Sequence, residues 1–116
     1  DGTVVGVDPT IMGIGPVPAI RTLLERNKLT FKDIDLIEIN EAFACVTMAA
    51  MTDLDIDHKK LNIHGGACAL GHPIGASAAR ILITLIYALR NNNGKCGIAS
   101  ACNGGGEAVA IAIEIP

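Results

Sequence analysis

The sequence predicts an α/β fold built on a mixed sheet with helices on both faces. Three observations carry that expectation. Short runs rich in Val, Ile and Ala alternate with segments of helical spacing, in the order β-α-β-α-(β)-α-β-β. The final two runs, 95–102 and 107–115, are joined by Asn103-Gly104-Gly105-Gly106 alone, a connection that suits an antiparallel hairpin. Half of the residues are hydrophobic but only 3% are aromatic, so the core must be packed from Ala, Ile, Leu and Val.

Each element has a local reason. Val4 to Val7 is a short β-branched run that stops at the turn signal Asp8-Pro9. The stretch 11–18 reads as a loop, and Pro16 or Pro18 can open a helix because the first turn has no use for the missing N–H. Beyond it, Ile20, Leu23, Leu24 and Leu29 recur at helical spacing, with Arg21, Glu25, Arg26 and Lys28 outside. Thr30 to Asp33 caps a turn before the strand 34–39. The segment 41–51 then reads as a helix buried on most sides, with Asn40 as its N-cap and Glu41 either in its first turn or orienting neighbouring loops. Asp53 to Lys60 is a polar connection, and Leu61 to Ile63 a brief extended piece. The stretch 75–90 is apolar around nearly its whole circumference and predicts a helix sandwiched between layers. Gly94 is placed to end it as a left-handed cap.

The composition excludes several function classes. A net charge of −3 and scattered basic residues argue against nucleic acid and against an anionic membrane surface. No apolar run reaches the ~20 residues of a membrane span, and the mean hydropathy of +0.44 fits either a well-buried α/β core or much surface buried against other protein. The four cysteines have no CxxC spacing, which argues against zinc and any other metal centre. Reduced thiols point to a reducing compartment, with the cytoplasm expected and the mitochondrion or peroxisome as alternatives. No targeting signal is visible at either end, and the first residues read as a strand entered part-way, so the true amino terminus is expected elsewhere.

Two glycine-set side chains could carry chemistry. His72 lies in GGACALGHPIGASAAR (65–80), between Gly71 and Pro73 and just ahead of a helix. Proline biases His72 to an extended backbone, and the helix amino terminus favours negative charge nearby, so its imidazole suits an oxyanion donor. Cys102 lies in ACNGGGE (101–107), at the end of a strand. A buried free cysteine usually serves as a small hydrophobe, but this position also suits a proton-transferring thiol, with Gly104 to Gly106 offering backbone donors. Asn40 follows a strand, where capping and a loop-facing role are compatible. A phosphate cradle is disfavoured: GHPIGAS (71–77) has no P-loop lysine, and GIGP (13–16) lacks the strand–GxGxxG–helix setting.

With INEAFA (39–44), GGACALGHPIGAS (65–77) and CNGGGEA (102–108) in this order and spacing, the chain resembles the carboxy-terminal domain of a thiolase over almost its whole length. GVDPTIMGIGPVPAI (6–20) is similar to the segment entering that domain. The resemblance implies one domain, 1–116, forming half of a stacked α/β/α/β/α fold. It implies that Cys102 is the second active-site cysteine, an acid/base. His72 would activate the nucleophilic cysteine and donate to the thioester oxygen, and Asn40 would hold a water beside it. The Gly104 N–H would serve a second oxyanion hole, while Met12 and Phe43 would line the acyl and pantetheine pocket. The reaction implied is acyl transfer to and from CoA by reversible Claisen condensation, with acyl-CoA as substrate and no cofactor. The implied partners are an amino-terminal half carrying the nucleophile and further copies in a dimer or tetramer. Without that half, this chain is expected to be inactive. Ala79 stands where the family commonly has glycine. A non-catalytic acyl-CoA-binding scaffold subunit is the competing expectation, and a proton-transfer cysteine would be needless in it.

Overall fold

The computed structural model describes residues 1–116. Four strands and four α-helices follow along the chain: β1 (Gly2–Gly6), α1 (Pro16–Asn27), β2 (Leu36–Ile39), α2 (Ala44–Leu54), α3 (Ala67–Leu70), α4 (Ser77–Asn91), β3 (Cys96–Cys102) and β4 (Glu107–Glu114). The strands form one mixed sheet in the order β1-β4-β3-β2. β4 runs antiparallel to both β1 and β3, whereas β2 runs parallel to β3 with Ile39 opposite Ser100.

Alternation along the strands sorts side chains between two cores. Ile37, Ile39, Ile98, Ala108 and Ala110 face α1 and α2, where Ile20, Leu23 and Val46 complete the larger cluster. Leu36 and Ala99 face the other way, onto Ile81, Leu85, Ala88 and Leu89 of α4. Helices therefore cover both faces, but unequally. α4 lies over β2 and β3 only, leaving Val4, Val109 and Ile111 exposed on the same face.

Local chemistry fixes the element ends. Pro16 stands at the start of α1, and the left-handed Lys28 ends it. Asp8 accepts from the Thr10 N–H at 2.8 Å and caps a 3-10 helix over Pro9–Ile14, where sequence alone suggested a loop. Thr30 and Asp33 form the expected turn, through a Thr30 N–H to Asp33 bond of 2.8 Å.

Three expectations need correction, and a fourth is met only in part. α2 begins three residues later than the pattern suggested, with Phe43 at its N-cap and no side-chain cap, so neither Asn40 nor Glu41 belongs to it. Both side chains are drawn instead into contacts with the 62–72 segment. The helix expected between two layers has only its first layer within this chain: α4 is covered on one side, and Ile83 and Tyr87 stand 55% and 59% exposed, because a single sheet can bury only one stripe of a helix. Asn93, with φ 55°, takes the left-handed position after α4 in place of Gly94, which is instead pressed against Asp35 and Leu89. Finally, the extended piece at 61–63 shrinks to one parallel bridge between Leu61 and Ile37.

Gly97 decides how closely α4 approaches the sheet. A Cβ there would lie 2.8 Å from Leu85 Cδ1, 3.0 Å from Leu89 Cδ1 and 3.1 Å from the Leu36 carbonyl oxygen. Gly97→Ala must push α4 outward or distort β3, at a cost of about 1–3 kcal/mol. Urea unfolding checks this, and an unchanged midpoint would contradict it.

Candidate functional site

β2 and β3 end at the same edge of the sheet because they are parallel. α4 runs back towards the start of β3, which brings the loop before α4 to that edge as well. The segments after β2, before α4 and after β3 therefore meet. A cavity of about 520 Å³ opens between them, and its lining includes Asn40, His72, Cys102, Gly104, Met12 and Phe43. All six candidate residues from the sequence thus come together around one space.

Asn40 is held from the backbone outward. Its N–H donates to the Ser100 carbonyl at 2.9 Å, extending the β2–β3 ladder by one residue. The residue is only 2% exposed, and its Oδ1 is buried with no protein partner. A buried acceptor left unpaired is costly, so this oxygen is suited to a water or a ligand donor.

His72 follows Gly71, whose φ of +91° turns the chain sharply after α3. Its Nδ1 lies 2.7 Å from Ser77 Oγ, and that hydroxyl donates to the Pro73 carbonyl at 3.1 Å. A serine has one proton to give, so Ser77 Oγ must accept from an Nδ1–H. The neutral ring therefore carries its lone pair on Nε2, where Asn40 Nδ2 donates across 3.4 Å. In this tautomer Nε2 first takes a proton, and only then can it donate.

Cys102 closes β3 half-buried, and that burial pushes its thiol up, an effect partly offset by its own backbone N–H. The thiol rests protonated, ready to act as an acid. In the turn that follows, Asn103 Oδ1 accepts from Gly105 N–H at 3.0 Å and the Asn103 carbonyl accepts from Gly106 N–H at 3.0 Å. Gly104 N–H alone of the three has no partner in the chain, so it is free to serve as a donor at the cavity. Gly106, at φ +94°, lies against the Val7 carbonyl, where any side chain would collide.

Met12 comes from the 3-10 helix and Phe43, 65% exposed, from the start of α2. The other three cysteines lie off the cavity, with Cys45 and Cys68 exposed and Cys96 at the far end of β3.

Sequence reasoning missed two residues. Ser77 sets the His72 tautomer, and a hydroxyl five residues beyond a loop histidine was the available signal. Glu38 is the second: the alternation of β2 places it inward, on the face covered by α4. It is 2% exposed, and its carboxyl rises to about 7, chiefly through burial, with the Arg80 charge pulling the other way and Glu41 adding to the rise.

Residues 1–115 match the family described as the C-terminal domain of thiolase. The chain belongs to that family. It is 52% identical over 109 residues to an acetyl-CoA acetyltransferase of Allochromatium vinosum, covering 94% of this chain and 28% of that relative. It is 51% identical over 109 residues to the human mitochondrial 3-ketoacyl-CoA thiolase, with the same shares covered. Two solved structures superpose closely. The Bacillus anthracis acetyl-CoA acetyltransferase gives a TM-score of 0.95 at 51% identity, over 97% of this chain and 29% of that one. The human mitochondrial 3-ketoacyl-CoA thiolase in complex with CoA gives 0.96 at 50% identity, over 99% and 29%. The chain thus spans a little over a quarter of the length of the thiolases it matches.

Two outcomes follow. Ser77→Ala removes the Nδ1 acceptor, so the neutral His72 ring should populate the Nε2–H tautomer; long-range ¹⁵N–¹H spectra report this, and a ring still wholly Nδ1–H would contradict it. Glu38 binds a proton more tightly in the folded state than its ordinary 4.5, so stability falls as pH rises from about 4.5 to about 7 and then levels. Glu38→Gln should therefore gain roughly 2–3 kcal/mol over wild type at pH 8 and nothing near pH 4, by chemical denaturation at each pH.

Proposed function

We propose that this chain supplies the acid/base cysteine, histidine and asparagine of a thiolase, acting in acyl transfer to and from CoA. One observation carries the reading: Asn40, His72, Cys102 and the unpaired Gly104 N–H, from separate loops, line a single cavity. A non-catalytic scaffold would need neither the thiol nor the free donor there.

In this reading an acyl group sits on a nucleophilic cysteine outside these residues, since Cys45, Cys68 and Cys96 all lie off the cavity. To form that acyl-enzyme, His72 Nε2 takes the cysteine's thiol proton as its sulfur attacks a first acetyl-CoA, and the departing CoA thiolate takes the proton of Cys102. His72, as imidazolium, then donates to the thioester oxygen of a second acetyl-CoA. Asn40 Oδ1 holds a water that donates to the same oxygen, which accounts for its lack of a protein partner. The Cys102 thiolate removes the α-proton of acetyl-CoA, giving an enolate whose charge those donors meet. The enolate carbon forms a bond to the acyl carbon, the nucleophilic cysteine departs as thiolate, and acetoacetyl-CoA results. In the reverse direction the nucleophilic cysteine thiolate attacks the 3-keto carbon of a 3-ketoacyl-CoA, Cys102 gives its proton to the acetyl-CoA enolate that leaves, and CoA thiolate then takes the acyl group from the cysteine. Gly104 N–H faces the oxygen of the acyl-enzyme. Met12 and Phe43 form an apolar wall suited to the acyl and pantetheine chains. CoA and its thioesters are substrates, and the scheme requires no cofactor.

The remaining thiolase chain is proposed to cover the open face of α4. Ile83, Tyr87, Val109 and Ile111 are all exposed there, and large apolar side chains left open to solvent suit a contact with further protein. Assembly into a dimer or tetramer and a cytoplasmic location belong to the same proposal. No helix is long and apolar enough to cross a membrane.

The test pairs this chain with a matching thiolase amino-terminal portion and follows CoA-dependent thiolysis of acetoacetyl-CoA. Cys102→Ala should lose about 10²–10⁴-fold in rate, the usual worth of general acid–base catalysis. Full rate from the Cys102→Ala mixture would overturn the role given to this thiol.

A further inference from the structure

Glu41 lies one residue beyond Asn40 yet does not line the cavity. Its carboxylate turns away and holds two groups from later in the chain. Oε2 accepts from the Cys68 N–H at 2.9 Å, and Oε1 accepts from Asn62 Nδ2 at 3.1 Å. The first bond supplies what α3 lacks locally, since its N-cap is Gly66 and offers no side chain. α3 leads directly into Gly71 and His72.

Asn62 ties the same carboxylate back to the strand carrying Asn40. Its Oδ1 accepts from the Ile39 N–H at 2.8 Å and its Nδ2 donates to the Ile39 carbonyl at 2.9 Å. The amide thus stands in for a neighbouring strand at the free edge of β2. Asn62 reaches this position with a left-handed backbone, φ 46°, which asparagine tolerates better than most residues. Gly66 completes the seat, because a Cβ at that position would fall on the Glu41 carboxylate.

The far end of the same loop is gripped as well. Arg80 Nη1 donates to the carbonyl of Gly71, the residue before His72, at 2.9 Å. Arg80 also lies close enough to act electrostatically on both Glu38 and Glu41. The His72 loop is therefore pinned at Cys68 and at Gly71, and the first pin leads within one residue to Asn40.

We propose that Glu41 is a positioning residue that sets the spacing between Asn40 and His72, seated by Asn62 and Gly66. Burial opposes its charge, but the Cys68 N–H and the Asn62 amide outweigh it and hold the carboxyl below the ordinary range, so the strut is ionised at neutral pH. The catalytic consequence rests on the thiolase reading, whereas the geometric one does not.

The experiment has two arms. In the full chain paired with a thiolase amino-terminal portion, Glu41→Gln should lower kcat about 10-fold and Glu41→Ala about 100-fold, with KM for acetoacetyl-CoA within about 2-fold, as expected for misplacement near an ångström. In the full chain by itself, NMR should show the His72 ring signals displaced in Glu41→Gln, an isosteric change that keeps the proposal testable should the alanine variant unfold. No turnover from the wild-type pair would sink the thiolase reading, and the NMR arm would then decide the positioning role alone. Wild-type kcat in both variants, a loss shared equally by KM, or unmoved His72 signals would overturn the proposal.

Discussion

The parallel pairing of β2 with β3 is the constraint on which the rest depends. Parallel strands end at the same edge, and a helical crossover between them must begin there. With Ile39 opposite Ser100, Asn40 leaves β2 level with Ala101, one residue before Cys102. α4 starts at this edge and returns the chain to the beginning of β3, so His72, five residues before α4, is delivered to the same place. The antiparallel return of β4 then folds the Asn103–Gly106 turn over the cavity. A one-residue slip of β2 would carry Asn40 to the other face and bring Glu38 and its neighbours out of register with both cores.

Polar groups concentrate towards this edge. Glu38, Asn40, Ser77 and Ser100 are buried within a molecule whose core is otherwise aliphatic. Ser100 is satisfied by the Val109 carbonyl at 2.7 Å and Ser77 by Pro73 and His72. Asn40 Oδ1 and Arg80 Nη2 are buried and unpaired, and Glu38 sits in a setting that favours its neutral form. Such arrangements weaken the folded state and are typical of sites organised for a ligand rather than for packing. The opposite end of the sheet carries no comparable load.

A second consequence of the topology is an incomplete covering. The face that carries α1 and α2 is sealed by a large aliphatic cluster, whereas α4 shades only half of the other face. The helix itself presents one apolar stripe inward and another outward. That arrangement fits a segment spanning 28% of the length of its thiolase relatives, in which further chain can lie against the exposed side.

Much of this was legible in the residues. Periodicity located a helix around 20–29 and another over 75–90, which the structure places at Pro16–Asn27 and Ser77–Asn91; the four-residue Asn-Gly connection announced the hairpin, and the glycine-set His72 and Cys102 stood out as chemistry rather than packing. Local pattern could not show that Asn40 and Glu41 leave α2, because contacts with residues 62–72, remote in sequence, outcompete a helical cap. Nor could it show that the helix at 77–91 is covered on one side only, since an apolar circumference does not say what lies against it. The tautomer of His72 depends on which way one hydroxyl points, and the burial of Glu38 on which face α4 takes. By itself, then, the sequence determined the elements and the reactive side chains, because those follow from short-range sterics and residue chemistry. The common cavity, the tautomer and the charge balance around Arg80 were decided by tertiary structure, because they arise where segments separated by tens of residues meet.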